Sequence, residues 1–357
     1  DLYTGDLPND LIPDFVFPSF SWQEIRQEEH QLTNLGYGPL KAELILFLQK
    51  ELPIKGNDQE LLITSGATQA SILLMTLLLS AGDVLATEES SFLFSLPLFS
   101  SLQVQLVGIA QDAEGLSPTA LEVAIQSKNI RLLYLTPNHQ NPTGKTLSLK
   151  RRKEILALCQ KYHLPIIEDD VFHELSFAKN LPALKSLAPD QVIYIGSLSK
   201  IFGASIKIGW LYAPKNMIKS LAIAKERMDN NTELFPQLLA YHALSSAVYQ
   251  TQQQKLTQEL ALRSHHFASL LEDFQEDWHF APIQGGLYYW LTWKHQKLSR
   301  KQWSDFLKEG LLVAPSFLFS NDSQSVRINY TRLSSDQYAE FRERFKRITQ
   351  AWKTLEI

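Results

Sequence analysis

The chain has 357 residues, of which 45% are hydrophobic and 20% are charged, a composition typical of a globular protein with one large or two medium domains. A formal net charge of −4 and the lack of a long basic run give no indication that this chain itself binds nucleic acid. The longest apolar run, residues 72–79, is too short to cross a membrane, and the single cysteine, Cys159, excludes an internal disulfide and favours a reducing, cytoplasmic setting.

The beginning of the chain predicts an irregular arm followed by a helix and a strand. Residues 1–35 carry three prolines among scattered aromatic residues, which is typical of an arm lying over another surface. Residues 40–52 have apolar side chains at helical spacing, and residues 61–64 predict a strand. The turn Ser65-Gly66-Ala67-Thr68 then leads into an apolar helix. A glycine turn that opens a helix presents free backbone N–H groups to an anion, although such turns are also common without one.

Strands and helices continue to alternate up to about residue 215. Short apolar runs predict further strands at residues 84–87, 104–109, 132–136, 165–167 and 192–195. The alternation is typical of βαβ units and a mainly parallel sheet. Helical patterns then continue to residue 274, and short strands return at residues 286–293, 311–314 and 326–330. We therefore predict an α/β protein with an arm (1–35), a large domain (36–245) and a smaller α+β domain (246–357).

The densest basic cluster is Lys150-Arg151-Arg152-Lys153. Ser148 is a suitable N-cap, and apolar residues follow the cluster at helical spacing. We interpret the cluster as the solvated first turn of a helix.

The strand at residues 192–195 leads directly into Gly196-Ser197-Leu198-Ser199-Lys200. Open α/β sheets have their ligand crevices at the carboxyl ends of the strands. A lysine at that position can act as a nucleophilic amine that forms an imine with a carbonyl, and Ser197 and Ser199 supply hydroxyls for an anion. The alternative is an ordinary surface lysine on a loop, which describes most lysines.

Other predicted strand ends also carry polar or aromatic side chains. Glu168-Asp169-Asp170 follows an apolar strand, so at least one carboxylate needs a cationic or proton-donating partner. Asn141 follows the strand at 132–136, and Phe92 offers a flat aromatic face after another. Taken singly, Asp169 is equally compatible with a helix cap, Asn141 with a turn and Phe92 with a place in the core.

Two further cations complete the set. Lys207, seven residues after Lys200, is placed to neutralise an anion. Arg327 lies in the apolar run 326–330 and needs a carboxylate or phosphate partner, which would be Asp322 or Asp14 if the pair is purely structural. An amine, a carboxylate for a ring nitrogen, an aromatic face, an anion-binding turn and an arginine for a substrate carboxylate are together what pyridoxal phosphate (PLP) requires.

The ordered motifs TSGATQA (64–70), NPTG (141–144), EDD (168–170), SLSK (197–200) and VRINY (326–330) closely resemble the fold-type I, class I and II aminotransferases over nearly the whole chain. The resemblance implies a PLP-dependent transferase fold of the aspartate aminotransferase type, with a mainly parallel seven-stranded sheet in its large domain. The sequence around the motifs is most similar to the aminotransferase-like domain of MocR-type transcriptional regulators, which follows a DNA-binding domain. The start at Asp1 fits a chain cut at that junction, so DNA would be bound only through the preceding domain.

The resemblance also implies roles for individual residues. Lys200 would form the internal aldimine and move the substrate proton, and Asp169 would keep the pyridine nitrogen protonated. Asn141 would bind the ring hydroxyl, and Phe92 would stack on the ring. The phosphate would be bound by five residues, namely Ala67, Thr68, Ser197, Ser199 and Lys207. Arg327 would bind the substrate carboxylate; no metal is assigned.

A homodimer is implied because Tyr37 resembles the tyrosine that reaches into the neighbouring subunit's site. The sequence departs from the family pattern in four places. Lys207 replaces an arginine and loses its two-pronged grip on phosphate. Phe172 replaces a tyrosine whose hydroxyl meets the ring oxygen, Phe92 replaces a tyrosine but keeps the stacking face, and the segment after Tyr37 is shortened.

These departures favour binding over efficient turnover. We therefore expect an effector-sensing, dimerising domain of a MocR-like regulator, which forms an external aldimine with an amino acid or related amine. A free-standing aminotransferase and a scaffold that binds no cofactor are the alternatives.

Overall fold

A computed structural model describes residues 1–203 and 205–354 of the chain. Its largest feature is a seven-stranded sheet, here called the large sheet. Its inner strands are buried on both faces, which agrees with their continuous apolar sequences. The strands are β1 (Leu61–Thr64), β2 (Val84–Glu88), β3 (Gln105–Ile109), β4 (Ile130–Leu135), β5 (Ile166–Asp169), β6 (Val192–Ser197) and β7 (Gly209–Tyr212).

The large sheet has the spatial order β1-β7-β6-β5-β4-β2-β3. Strand β7 is antiparallel to both of its neighbours, and the remaining pairs are parallel. The predicted mainly parallel, seven-stranded sheet is confirmed. Ser197 pairs with Gly209, and Gly209 pairs with Thr64. The segments that follow β6 and β1 therefore leave the sheet at the same end, on either side of β7.

Helices cover both faces of the large sheet. Because alternate residues of a strand point to opposite faces, neighbouring residues enter different apolar cores. Leu61 and Ile63 of β1 belong to one apolar core, and Leu62 belongs to another. No helix within the described ranges is long and apolar enough to cross a membrane. The helices of more than four residues are α1 (Trp22–Glu28), α2 (Gly38–Glu51), α3 (Gly66–Leu78), α4 (Pro118–Ser127), α5 (Leu149–Lys161), α6 (Lys215–Asp229), α7 (Leu234–Ser245), α8 (Ala247–Glu272), α9 (Ser304–Lys308) and α10 (Tyr338–Lys353).

A second, antiparallel sheet, here called the small sheet, follows α8 and has an aromatic core of its own. It confirms the predicted smaller α+β part, although the predicted strand at 311–314 is reduced to a short pairing at its end. The boundaries 1–35, 36–245 and 246–357 remain predictions, and residues 355–357 lie outside the described residues. The strands are β8 (Trp278–His279), β9 (Tyr288–Trp293), β10 (Ala314–Pro315) and β11 (Ser325–Asn329), in the order β8-β9-β11-β10.

The N-terminal arm is more regular than its sequence predicts. Helix α1 forms because Ser21 and Glu24 cap it reciprocally: the Ser21 N–H donates to Glu24 Oε2 at 2.7 Å, and Ser21 Oγ accepts from the Glu24 N–H at 3.2 Å. The start of the arm binds the small sheet, since the Asn329 N–H donates to the Leu2 carbonyl at 2.9 Å. Leu2 is buried in the small-sheet core and Leu7 in a core of the large sheet. The arm therefore bridges the two sheets.

The interpretation of the basic cluster is only partly correct. Ser148 does cap α5, but Arg151 and Arg152 are buried, and only Lys150 and Lys153 are exposed. Arg151 pairs with two carboxylates of a neighbouring hairpin, at 2.9 Å and 3.0 Å. Arg152 donates to Asn138 Oδ1 and to backbone carbonyls. These acceptors are remote or main-chain groups, so the local sequence pattern does not reveal them.

Candidate active site

Lys200 lies in a single helical turn directly after β6. Its Nζ donates to the Gly5 carbonyl at 2.8 Å and to Asp6 Oδ1 at 2.7 Å, both in the arm. The same nitrogen lies 5.9 Å from the centre of the Phe172 ring. The side chain is 23% exposed, so the amine is enclosed on several sides but remains accessible from solvent.

Asp169 ends β5, and its backbone is paired in register with Ile195 of β6. The carboxylate is buried, and its Oδ2 accepts a hydrogen bond from the Tyr134 hydroxyl at 2.6 Å. Within the described chain Oδ1 accepts no well-formed hydrogen bond, although the N–H of Val171 lies near the carboxylate. Burial raises the pKa of Asp169 to about 6, against the opposing effect of the Tyr134 hydrogen bond. At neutral pH the group is therefore mostly an anion with one oxygen open to a donor.

The two flanking carboxylates have structural partners. Glu168 accepts the N–H groups of Leu184 and Lys185, each at 2.8 Å. Asp170 accepts from Asn138 Nδ2 at 2.6 Å and lies 3.4 Å from His173 Nδ1. Of the three consecutive acids, Asp169 is the one with an open oxygen among the described residues.

Phe92 and Asn141 are brought to Asp169 through Tyr134. The rings of Phe92 and Tyr134 lie 6.3 Å apart, and the Phe92 N–H donates to the Asn141 carbonyl at 3.2 Å. Asn141 Oδ1 in turn accepts from Arg327 Nη1 at 2.8 Å. Residues from four separate stretches of the chain therefore form one continuous contact path.

Arg327 lies in β11 and is buried between aromatic rings. The guanidinium carbon is 4.3 Å from the Tyr288 ring centre and 4.9 Å from that of Phe319. Nη2 donates to the Tyr3 carbonyl at 2.5 Å, and Nε is buried without a partner among the described residues. No carboxylate of the described chain, including Asp322 and Asp14, forms an ion pair with it. The guanidinium charge is therefore met by neutral oxygens and ring faces alone.

The predicted anion-binding turn lies at the edge of the sheet where β1 and β6 end. Ala67 and Thr68 are in the first turn of α3, whose N–H groups have no partner within the helix. A side chain at Gly209 would place its Cβ 2.5 Å from the Gly66 carbonyl carbon, so only glycine lets β7 approach this turn. Ser71 Oγ of α3 lies 3.1 Å from the Tyr134 hydroxyl, which connects the turn to Asp169.

The remaining three predicted phosphate ligands lie after β6. The hydroxyls of Ser197 and Ser199 donate to the carbonyls of Ile208 and Ile206, at 3.1 Å and 3.2 Å. They thereby hold the loop that carries Lys207, whose side chain is exposed. Lys207 lies two residues before β7. Phosphate binding by these three residues remains a prediction.

Tyr37 is placed apart from this group. Its hydroxyl donates to Glu28 Oε2 at 2.6 Å, its N–H donates to Gln237 Oε1 at 2.8 Å, and its ring packs against Tyr241. Within the described chain it contacts none of the other predicted site residues. Its role in a partner's site remains a prediction.

Three residues of the site are not predicted from the sequence. Tyr134 is a single hydroxyl-bearing residue within the apolar β4, which is a weak signal of a buried hydrogen bond. Tyr288 begins β9 and has no distinguishing pattern. Asp6 has no signal at all, because 194 residues separate it from Lys200.

Comparison with known proteins assigns the chain to a family. Residues 5–345 match the family described as aminotransferase class I and II. The chain is 32% identical over 304 residues to the uncharacterized HTH-type transcriptional regulator YdfD of Bacillus subtilis (strain 168), covering 84% of this chain and 62% of that protein. It therefore spans less than two thirds of the length of that relative.

Two similar proteins are named as aminotransferases. Identity to the aromatic-amino-acid aminotransferase 1 of Thermococcus litoralis is 27% over 333 residues, covering 90% of this chain and 79% of that enzyme. The crystal structure of the Pyrococcus horikoshii kynurenine aminotransferase in complex with PMP has a TM-score of 0.88 at 26% identity, covering 99% of this chain and 91% of that one. The resemblance seen in the sequence motifs is confirmed, as is the fold that it implies.

Proposed function

The chain belongs to the class I and II aminotransferase family, and from this membership we propose that it is the PLP-binding, effector-sensing and dimerising domain of a MocR-like transcriptional regulator. It binds PLP at Lys200 and senses an amino acid or related amine, while DNA binding belongs to a separate domain. The observation that carries the proposal is the buried, open oxygen of Asp169, together with the arm, whose residues 3–6 contact both Lys200 and Arg327.

The side chains of the site fit PLP. When bound, the cofactor would supply an aldehyde that reacts with amines and a ring that withdraws electrons when its nitrogen is protonated, and Lys200 is the amine that would hold it. Asp169 Oδ1 is open to accept that N–H, and burial strengthens the interaction. Phe92 offers a ring face beside Tyr134. The first turn of α3 and the exposed Lys207 provide donors for the phosphate.

Arg327 is suited to bind the carboxylate of the ligand. A buried guanidinium gains most from a two-pronged carboxylate contact, whereas its present partners are one side-chain amide and one backbone carbonyl. The unpartnered Nε adds a further donor. A ligand carboxylate can therefore replace the Tyr3 carbonyl without leaving Arg327 unpaired.

Sensing is favoured over rapid turnover by the residue beneath Lys200. Phe172 packs against Tyr288 with ring centres 5.8 Å apart. Because it is a phenylalanine where family members have a tyrosine, it offers no hydroxyl beside Asn141. The identity to YdfD supports the same assignment.

Dimerisation is supported by an apolar surface on the arm and α7, here called the arm face. Val16 is 99% exposed, Trp22 71% and Phe235 51%. The Phe20 and Phe235 rings lie 6.4 Å apart, which joins the arm to α7. Large exposed apolar side chains are typical of protein interfaces. A second copy of the chain would cover them.

A free-standing aminotransferase is the alternative function. It is favoured by the relative from Thermococcus litoralis, of which the chain covers 79%, compared with 62% of YdfD.

One experiment tests cofactor binding and a second separates the two functions. Protein loaded with PLP is reduced with borohydride and its peptides are mapped; we expect the adduct on Lys200 and none in Lys200→Ala. In the second experiment, unreduced protein loaded with PLP is mixed with a panel of amino acids, with and without a 2-oxo acid. A sensor gives a saturable spectral change, whereas an enzyme gives many equivalents of product. An adduct on another lysine, or no adduct in loaded protein, would rule out the assignment of Lys200.

A further inference from the structure

Asp6 is the arm carboxylate that touches the reacting nitrogen. Its Oδ1 lies 2.7 Å from Lys200 Nζ, and the side chain is 37% exposed. Asp169, the buried acid of the site, has one oxygen bound by Tyr134 and is closed to solvent. Asp6 is therefore the acid beside Lys200 that can exchange protons with bulk water.

The backbone that carries Asp6 is held independently of its carboxylate. Asn329 Nδ2 donates to the Asp6 carbonyl at 3.1 Å and to the Thr4 carbonyl at 2.7 Å. The Tyr288 hydroxyl donates to the Gly5 carbonyl at 3.2 Å. Buried Leu2 and Leu7 anchor the segment on both sides. Changing only the side chain of Asp6 should therefore leave the path of the arm intact.

We propose that Asp6 is the acid–base residue for imine formation and exchange at Lys200, an inference that rests on the proposed function. A lysine ammonium group cannot attack an aldehyde until it has lost a proton, and the oxygen that transfers it must lie within hydrogen-bond reach of the nitrogen. At 2.7 Å, Asp6 Oδ1 meets that requirement. Its exposure allows the proton to leave to water.

The reaction balances without a further reactant. Lys200 gives one proton of its ammonium group to Asp6, and the freed electron pair forms a bond to the aldehyde carbon. The two remaining nitrogen hydrogens are then lost as the C=N bond forms. The aldehyde oxygen leaves as water when its bond to carbon breaks, and the protons for this step pass through Asp6. The net change is ammonium plus aldehyde giving imine, water and one proton.

The test is the rate at which cofactor-free protein forms the imine with PLP, followed by its visible absorbance after rapid mixing. Asp6→Asn should load at least ~100-fold more slowly, the lower end of the range for general acid–base catalysis, while its equilibrium affinity for PLP stays within a few-fold. Asp6→Ala should be equally slow and should recover speed in proportion to added formate. Asp10→Asn is the matched control, because Asp10 is an acid of the same arm paired with Arg263, away from Lys200.

The outcomes separate this inference from the proposed function. Loading of Asp6→Asn at or above the wild-type rate would overturn it, since the ion pair would then be only a tether. Slow loading of Asp6→Ala that formate does not accelerate would also overturn it, because the loss would come from arm packing. If the wild-type chain forms no imine with PLP, the proposed function fails first. Formate rescue together with normal loading by Asp10→Asn supports the role of Asp6.

Discussion

Replacing Tyr134 with phenylalanine should change how the binding of PLP depends on pH. The substitution removes the hydroxyl that donates to Asp169 Oδ2 at 2.6 Å and keeps the ring that packs beside Phe92. A hydrogen bond to a charged group contributes about 1.5–3 kcal/mol, or roughly 1–2 units of pKa at 1.36 kcal/mol per unit. The pKa of Asp169, about 6 in the wild type, should therefore rise further in Tyr134→Phe.

PLP needs the ionised form of Asp169, so the two proteins should differ most at low pH. The dissociation constants should be nearly equal at high pH, where Asp169 is ionised in both. At low pH the dissociation constant of Tyr134→Phe for PLP should be about 10–100-fold larger than that of the wild type, because the pKa of Asp169 is higher in the variant and its carboxylate is harder to ionise. Spectral titrations at a series of pH values measure the ratio of the two dissociation constants. Protonation of the cofactor itself affects both proteins equally and therefore does not change this ratio.

The same substitution has a readout without cofactor. Because the variant raises the pKa of Asp169 in the folded state, its loss of stability should be largest well above pH 6, where the wild-type carboxylate is ionised, and should diminish as the pH falls. Thermal unfolding at acidic and alkaline pH tests this sign. Tyr289→Phe is the control, since that hydroxyl contacts Ser264 in the small-sheet core. A ratio of dissociation constants that does not change with pH would refute the reasoning.

Three further predictions follow from the site and the arm face. Asp169→Asn should fold but slow any half-transamination by several orders of magnitude, because losing a charge contact of several kcal/mol costs tenfold in rate per ~1.4 kcal/mol; single-turnover rates within a few-fold of wild type would contradict this. Arg327→Ala should retain PLP but lose about 2–5 kcal/mol of affinity for amino acids and none for the matched decarboxylated amines, as measured by spectral titration. Trp22→Ser combined with Phe235→Ser should halve the mass measured by light scattering, since exposed aromatic residues dominate interfaces, and an unchanged mass would place the dimer contact elsewhere.

Much of the fold is encoded in local patterns. Apolar runs of three to six residues separated by helical periodicity predict six of the seven strands of the large sheet, because strand and helix periodicities depend only on neighbouring residues. The placement of Lys200, Asp169 and Asn141 after strands follows from the same patterns. The three prolines of residues 1–35 predict an irregular arm, whereas α1 forms there because Ser21 and Glu24 cap it reciprocally.

Only the tertiary structure decides which of these side chains are open for binding. Three consecutive acids lie at the end of β5, and their roles differ because remote segments satisfy Glu168 and Asp170 but leave one oxygen of Asp169 open. Arg327 has no acidic partner in the described chain because the arm presents a carbonyl there instead. Asp6 reaches Lys200 across 194 residues only because the arm crosses from the small sheet to the large one. Such contacts depend on the packing of distant segments, which local residue patterns do not specify.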